Sequence, residues 1–164
     1  MLNRFSLLIL LIVNVVQLGA QSVGYTYHPF ADEGCSVIYT PTIVNDTAYI
    51  VVNVKSDRLM FNDNPSMLVR FFDDKTLQLQ GKKFGVTTSE GGMIVGYVFI
   101  PTKSYCATAW FMVTEEQMDL FSQVVAKIRL NTQPIMHERT FKKDKIGIPL
   151  FQNYHEVKEK VENF

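Results

Sequence analysis

A chain of 164 residues with 16 basic and 16 acidic side chains, formal charge +0, lacks the excess positive charge that grips a nucleic acid backbone. A hydrophobic share of 47% with 12% aromatics excludes a disordered chain. Two cysteines exclude a four-thiolate metal centre and a disulfide-dense scaffold.

The first twenty residues have the form of a secretory leader. Asn3-Arg4 supplies the positive start, Phe5 to Val16 the apolar run, and Leu18-Gly19-Ala20 the small-residue end. The run is too short to cross a bilayer, which needs about 20 apolar residues. Cleavage is expected after Ala20 or Ser22. Without Arg4 the count becomes 15 basic against 16 acidic, so the exported chain is near-neutral. It is expected to be periplasmic or extracellular, one domain of about 140 residues, with no membrane span after cleavage.

Residues 21 to 34 read as an irregular lead-in punctuated by Gly24, Pro29 and Gly34, and residues 35 to 164 as a single β-rich domain. Thr47 to Val54 is rich in β-branched residues and predicts a strand with Ile50, Val52 and Val54 on one face. Asn62 to Pro65 is a loop by composition. Met67 to Phe72 and Thr76 to Gln80, joined by Asp73-Asp74-Lys75, predict a hairpin with Met67, Val69, Phe71, Leu77 and Leu79 inward. Gly91-Gly92 is expected to turn the chain into a strand from Met93 to Ile100, with a bulge or close approach at Gly96 and an end at Pro101. Cys106 to Val113 is the next strand and carries Trp110. Thr114-Glu115-Glu116-Gln117 is a capping-box pattern opening a short helix over about 115 to 122. Val124, Ala126, Ile128 and Leu130 then alternate with polar neighbours as a strand. Tyr154, Val157, Val161 and Phe164 stand at helix spacing, and Glu156 to Lys160 is an i, i+4 pair.

The fold class that follows is mainly β. It is an antiparallel β-sandwich or bent sheet, with one short helix before the last core strand and a C-terminal helix.

Cys35 and Cys106 begin strand-like runs. In an oxidising compartment they form either a disulfide or two buried thiols. A bridge closing about 70 residues would add roughly 4 kcal/mol. His28, His137 and His155 are far apart, with no metal-ligand spacing, so no metal and no cofactor is expected. No nucleophile elbow, phosphate loop or dinucleotide fingerprint occurs, and no catalytic residue is assigned. Thr87 to Gly92 reads as a turn, and Asp73-Asp74 points to opposite faces of a strand. Arg139, Lys142, Lys143 and Lys145 form a basic patch. It is a solvated loop partly balanced by Glu138 and Asp144, or a contact for an anionic glycan, headgroup or partner. Tyr25, Tyr27, Tyr39, Tyr49, Tyr97 and Trp110 are mostly core, with a sugar-stacking platform as the functional alternative. Asn45-Asp46-Thr47 matches the N-glycosylation pattern, and Asp46-Thr47-Ala48 a short O-glycosylation pattern; both also suit a turn.

Val54 to Leu59 with the Leu68 to Leu79 hairpin, and Val113 to Met118 with Val125 to Thr132, resemble small uncharacterised secreted proteins of Bacteroidetes-type bacteria. The resemblance covers about half of the exported chain. It departs from the pattern at Val124-Val125, where that group has Gly-Ile. It implies an exported β-rich domain and brings no active site.

The leading functional expectation is a secreted or periplasmic non-catalytic binding or accessory module, its partner an envelope protein or glycan. An exposed apolar patch would support it. One alternative is an envelope hydrolase acting on a glycan or peptide. That reading requires His137, Glu138 or Asp144 to converge with Glu90, Ser89 or a histidine in a cleft. Another is an inhibitor or immunity-type protein with a stoichiometric partner.

Overall fold

The computed structural model describes residues 21–27 and 35–163. The expected leader, His28, Pro29, Gly34 and Phe164 lie outside these described residues. Eight antiparallel strands form one continuous sheet in the order β1-β2-β3-β7-β6-β5-β8-β10. These are β1 (Val23–Tyr27), β2 (Cys35–Val44), β3 (Thr47–Ser56), β5 (Ser66–Phe71), β6 (Thr76–Val95), β7 (Val98–Val113), β8 (Val125–Leu130) and β10 (His137–Thr140). Two short strands, β4 (Met60–Phe61) and β9 (Thr132–Gln133), pair separately. Helix α1 (Glu115–Asp119) runs into a 3-10 turn (Leu120–Ser122), and α2 (Gly147–Glu162) ends the described chain.

The sheet curls until its two end strands face each other. The Tyr25 hydroxyl on β1 lies 2.7 Å from Nε2 of His137 on β10. One face therefore points inward all round. Val37, Tyr39, Ile50, Val52, Val54, Val69, Phe71, Ala107, Ala109, Phe111, Ile128 and Leu130 are fully buried on it. A bent sheet is thus what the described residues form, rather than two stacked sheets.

Local chemistry accounts for the turns. Asn45 and Asp46 both adopt positive φ (48° and 59°), which suits the two-residue turn between β2 and β3. The capping box forms as expected. Thr114 Oγ1 accepts from the Gln117 amide at 3.2 Å, and Gln117 Oε1 accepts from the Thr114 amide at 3.0 Å. Met118 and Phe121 are buried, and Phe121 meets Phe71 edge-on at 5.7 Å. The Asp144 carboxylate accepts from the amides of Ile146, Gly147 and Ile148, so α2 starts there.

Several expectations change. The lead-in is not irregular throughout, because Val23–Tyr27 pairs in register with β2. Gly91-Gly92 is not a turn and Pro101 is not a strand end: both lie inside the β6–β7 ladder, Gly92 opposite Pro101. The short helix sits where predicted, but β8 is not the last strand, since β10 follows on its outer side. A register shift between Arg70 and Phe71 sets Val125, not Ala126, in the core with Ile128 and Leu130. Helix α2 begins seven residues before Tyr154, and Lys158, not Lys160, makes its ion pairs, to Glu115 and Glu162.

The cysteines are not bridged. Cys35 is on the inner face of β2, opposite Tyr27, and Cys106 is half-buried on the outer face of β7, opposite Lys55. Strand β3 lies between them. Two strand spacings of about 4.8 Å and opposite faces exceed the reach of a disulfide.

Candidate functional site

Strands β6 and β7 are far longer than their neighbours. Strand β5 covers β6 only from Thr76 to Gln80, and β3 covers β7 only from Tyr105 to Val113. Past Gln80 β6 has β7 alone as a neighbour, and from Ser89–Ser104 onward, where β3 has also ended, the pair runs on as a two-stranded arm to Val95–Val98. At about 3.3 Å per residue, the ten steps of β6 from Gly85 to Val95 run about 33 Å, the last six of them, about 20 Å, within the two-stranded arm.

The arm is closed by Gly96-Tyr97. Gly96 has φ +62°, and a glycine at the first central position is what a type II′ hairpin turn requires. Gly92 is held by packing: a Cβ there would collide with the Phe99 ring, which covers the bare backbone. At mid-length Glu90 faces Lys103, with a charge separation of 3.9 Å. Between them, Gly91 to Thr102 contains no charged residue.

That uncharged tip is exposed on both faces. Ile94 is 75% exposed, Val98 and Phe99 63% each, and Tyr97 fully. At the base, a bulge between Lys83 and Gly85 throws Phe84 outward. Phe84 is 73% exposed and stacks on Trp110 at 5.2 Å, with Tyr49 edge-on to the same indole at 5.4 Å. The arm thus carries two apolar clusters, one at each end, separated by the Glu90–Lys103 pair. A shallow groove of about 810 Å³ runs along it beside Gly91, Gly92 and Phe99.

The residues singled out from the sequence are distributed elsewhere. Tyr25, Tyr27 and Tyr39 are buried at the seam where the sheet ends meet. Tyr25 and Tyr39 hydroxyls are 3.1 Å apart, and burial raises both phenols well above their usual titration range. The His137 ring lies on Tyr27 at 4.1 Å between centroids. Burial, helped by nearby Arg139, lowers its pKa to about 4, so it is neutral near pH 7. Of the aromatic set, only Tyr49, Trp110 and Tyr97 face outward, the last far from the other two.

Arg139, Lys142, Lys143 and Lys145 are exposed along β10 and the link to α2. Neither expected counter-charge balances them. Glu138 is taken by Lys127 at 2.5 Å and Arg129 at 2.6 Å, which hold its carboxyl below the usual range. Asp144 is spent on the α2 amides. No acidic side chain among the described residues pairs with the four cations. The patch follows Thr140, which pairs with Lys127 at the end of the sheet opposite the arm. The two features do not form one site.

The convergence required of a hydrolase does not occur among the described residues. His137 is buried against tyrosines, Glu138 and Asp144 are engaged as above, and Ser89 and Glu90 stand out on the arm. A cavity of about 690 Å³ beside Thr47, Met112 and Tyr154 contains the Glu115–Lys158 pair and no nucleophile held by a base. No cluster of potential metal ligands occurs among the described residues, and no described helix is long and apolar enough to cross a membrane. A scan against protein-family models, a search of curated proteins and a search of solved structures return no match.

Proposed function

We propose that the chain is a secreted or periplasmic, non-catalytic binding or accessory module, and that the β6–β7 arm is its docking element. The observation that carries this reading is the uncharged tip from Ile94 to Ile100, exposed on both faces. Apolar surface concentrated on a projecting element gains nothing for the fold that bears it. It is stabilised only when a partner removes it from water, at roughly 25 cal/mol per Å². The leader-like first twenty residues support the compartment.

The test is a crosslinked capture from the envelope fraction of the source cell. The bait is the full chain, compared with a variant carrying Ile94→Asp and Phe99→Asp. A saturable protein or polysaccharide held by the parent and lost by the folded variant is the expected result. Capture indifferent to the tip charges would overturn the assignment of the arm.

A further inference from the structure

We propose that the free edge of β6, from Thr88 to Ile94, pairs antiparallel with the same edge of a second copy of this chain, about a two-fold axis at Gly91. This rests on the reading of the arm as the docking element and names its partner.

The two edges of the arm are not equivalent. In a hairpin closed by a two-residue turn, the flanking pair exchanges both hydrogen bonds. That pair is Val95 and Val98, so Ile94, Gly92, Glu90, Thr88 and Val86 turn their N–H and C=O groups outward on β6. Strand β5 stops short of them, its cover ending where the Gly81 amide donates to Pro65 O at 2.8 Å. On β7 the outward set is Phe99, Pro101 and Lys103. Pro101 has no N–H, which interrupts that edge at its middle, a common guard against strand addition. The β6 edge has no such guard.

The open row of donors and acceptors selects the occupant. A lipid core would leave each outward N–H and C=O unpaired, at a heavy desolvation cost. Another strand satisfies them all. A strand edge in antiparallel orientation is complementary to its own copy, as an isologous two-fold interface requires. With the axis at Gly91, Glu90 lies opposite Gly92 of the second copy and Thr88 opposite its Ile94. An axis at Glu90 would instead oppose two carboxylates.

This pairing also answers the placement of the two apolar clusters. It carries the tip of each copy toward the base of the other, where Val86 and Phe84 are exposed. A parallel arrangement would leave tip and base apart. The strand edge alone, about 20 Å long and 10 Å thick, covers about 200 Å² per partner against about 800 Å² for a standard interface. Tip-on-base contact must supply the rest, so the pairing depends on the apolar tip and not on the ladder alone.

The experiment uses the full chain, expressed with its leader and purified from the compartment to which it is delivered. Sedimentation across the micromolar range is expected to show a monomer–dimer equilibrium. Gly91→Cys places two thiols at the axis, and a Cβ there meets only Thr102 Oγ1 at 3.6 Å. Mild oxidation is expected to give a covalent dimer that the parent does not form. Thr88→Pro removes an outward N–H without touching the arm's own ladder. It is expected to raise the dissociation constant roughly tenfold and suppress the crosslink with an unchanged circular dichroism spectrum. A parent that stays monomeric, with Gly91→Cys uncrosslinked, overturns the second-copy proposal. If that monomer still captures an envelope partner through its tip, the docking reading stands. If capture ignores the tip, both fall.

Discussion

The curled body and the projecting arm are built from the same ladder but solve different problems. In the body the strands between β1 and β10 have two neighbours each and one face out of water, so side chains such as Val52, Phe111 and Ile128 are fully buried. In the arm each strand has one neighbour and both faces wet. Yet Ile94, Val98, Phe99 and Tyr97 are no more polar than the core residues. Hydrophobicity along β6 and β7 thus divides at about Thr88 and Tyr105: before that pair it serves the buried face, and beyond it the apolar side chains lie in water, on the surface proposed for association.

The largest effect should come from the body. Phe111→Ala removes a ring that packs on Phe61 at 6.3 Å and against Gly81, and is expected to cost about 3–5 kcal/mol in urea unfolding. The seam should come next. His137 has a folded pKa near 4 against 6.5 unfolded, so the unfolded chain binds the extra proton between those values. Stability from this group is complete above about pH 6.5 and falls by roughly 3 kcal/mol as pH drops to about 4. Unfolding curves at pH 7.5 and 4.5 would show the loss, and His137→Gln should flatten that part of the profile.

A smaller loss is expected at the cap. Thr114→Ala removes the oxygen that accepts from Gln117 and should lower stability by about 1 kcal/mol without altering the arm. Charging the tip, by Ile94→Asp with Phe99→Asp, should leave stability within about 0.5 kcal/mol while abolishing capture or dimerisation. A tip variant that unfolds would erase the distinction between the two regions.

Much of the body was legible in the sequence. The alternation from Met67 to Leu79, the β-branched run at Thr47, the Thr114 capping box and the terminal helix spacing each encode local geometry that tertiary packing did not override. The arm was not legible for a physical reason. Gly91, Gly92 and Pro101 are turn and breaker signals in an ordinary sheet. In a free ribbon Gly92 is covered by Phe99, and the missing N–H of Pro101 faces water. The true turn, Gly96-Tyr97, looked like a strand interior because its flanks are apolar. His137 was equally hidden, since its partner Tyr25 is 112 residues away and no spacing rule connects them. Of the two alternatives for Cys35 and Cys106 the bridge fails on facing, because Cys35 lies on the inner face of β2 and Cys106, inside β7 and not at its start, on the outer face.

The most direct measurement shortens the arm. Residues 90 to 103 would be replaced by Asn-Gly, keeping the Ser89–Ser104 pair as the flank of the new turn. Urea unfolding and sedimentation would then be run on the same sample beside the parent. An unfolding free energy within about 1 kcal/mol of the parent, with association lost, is the predicted result. A shortened chain that cannot fold, or that folds and still associates as the parent does, would contradict the account.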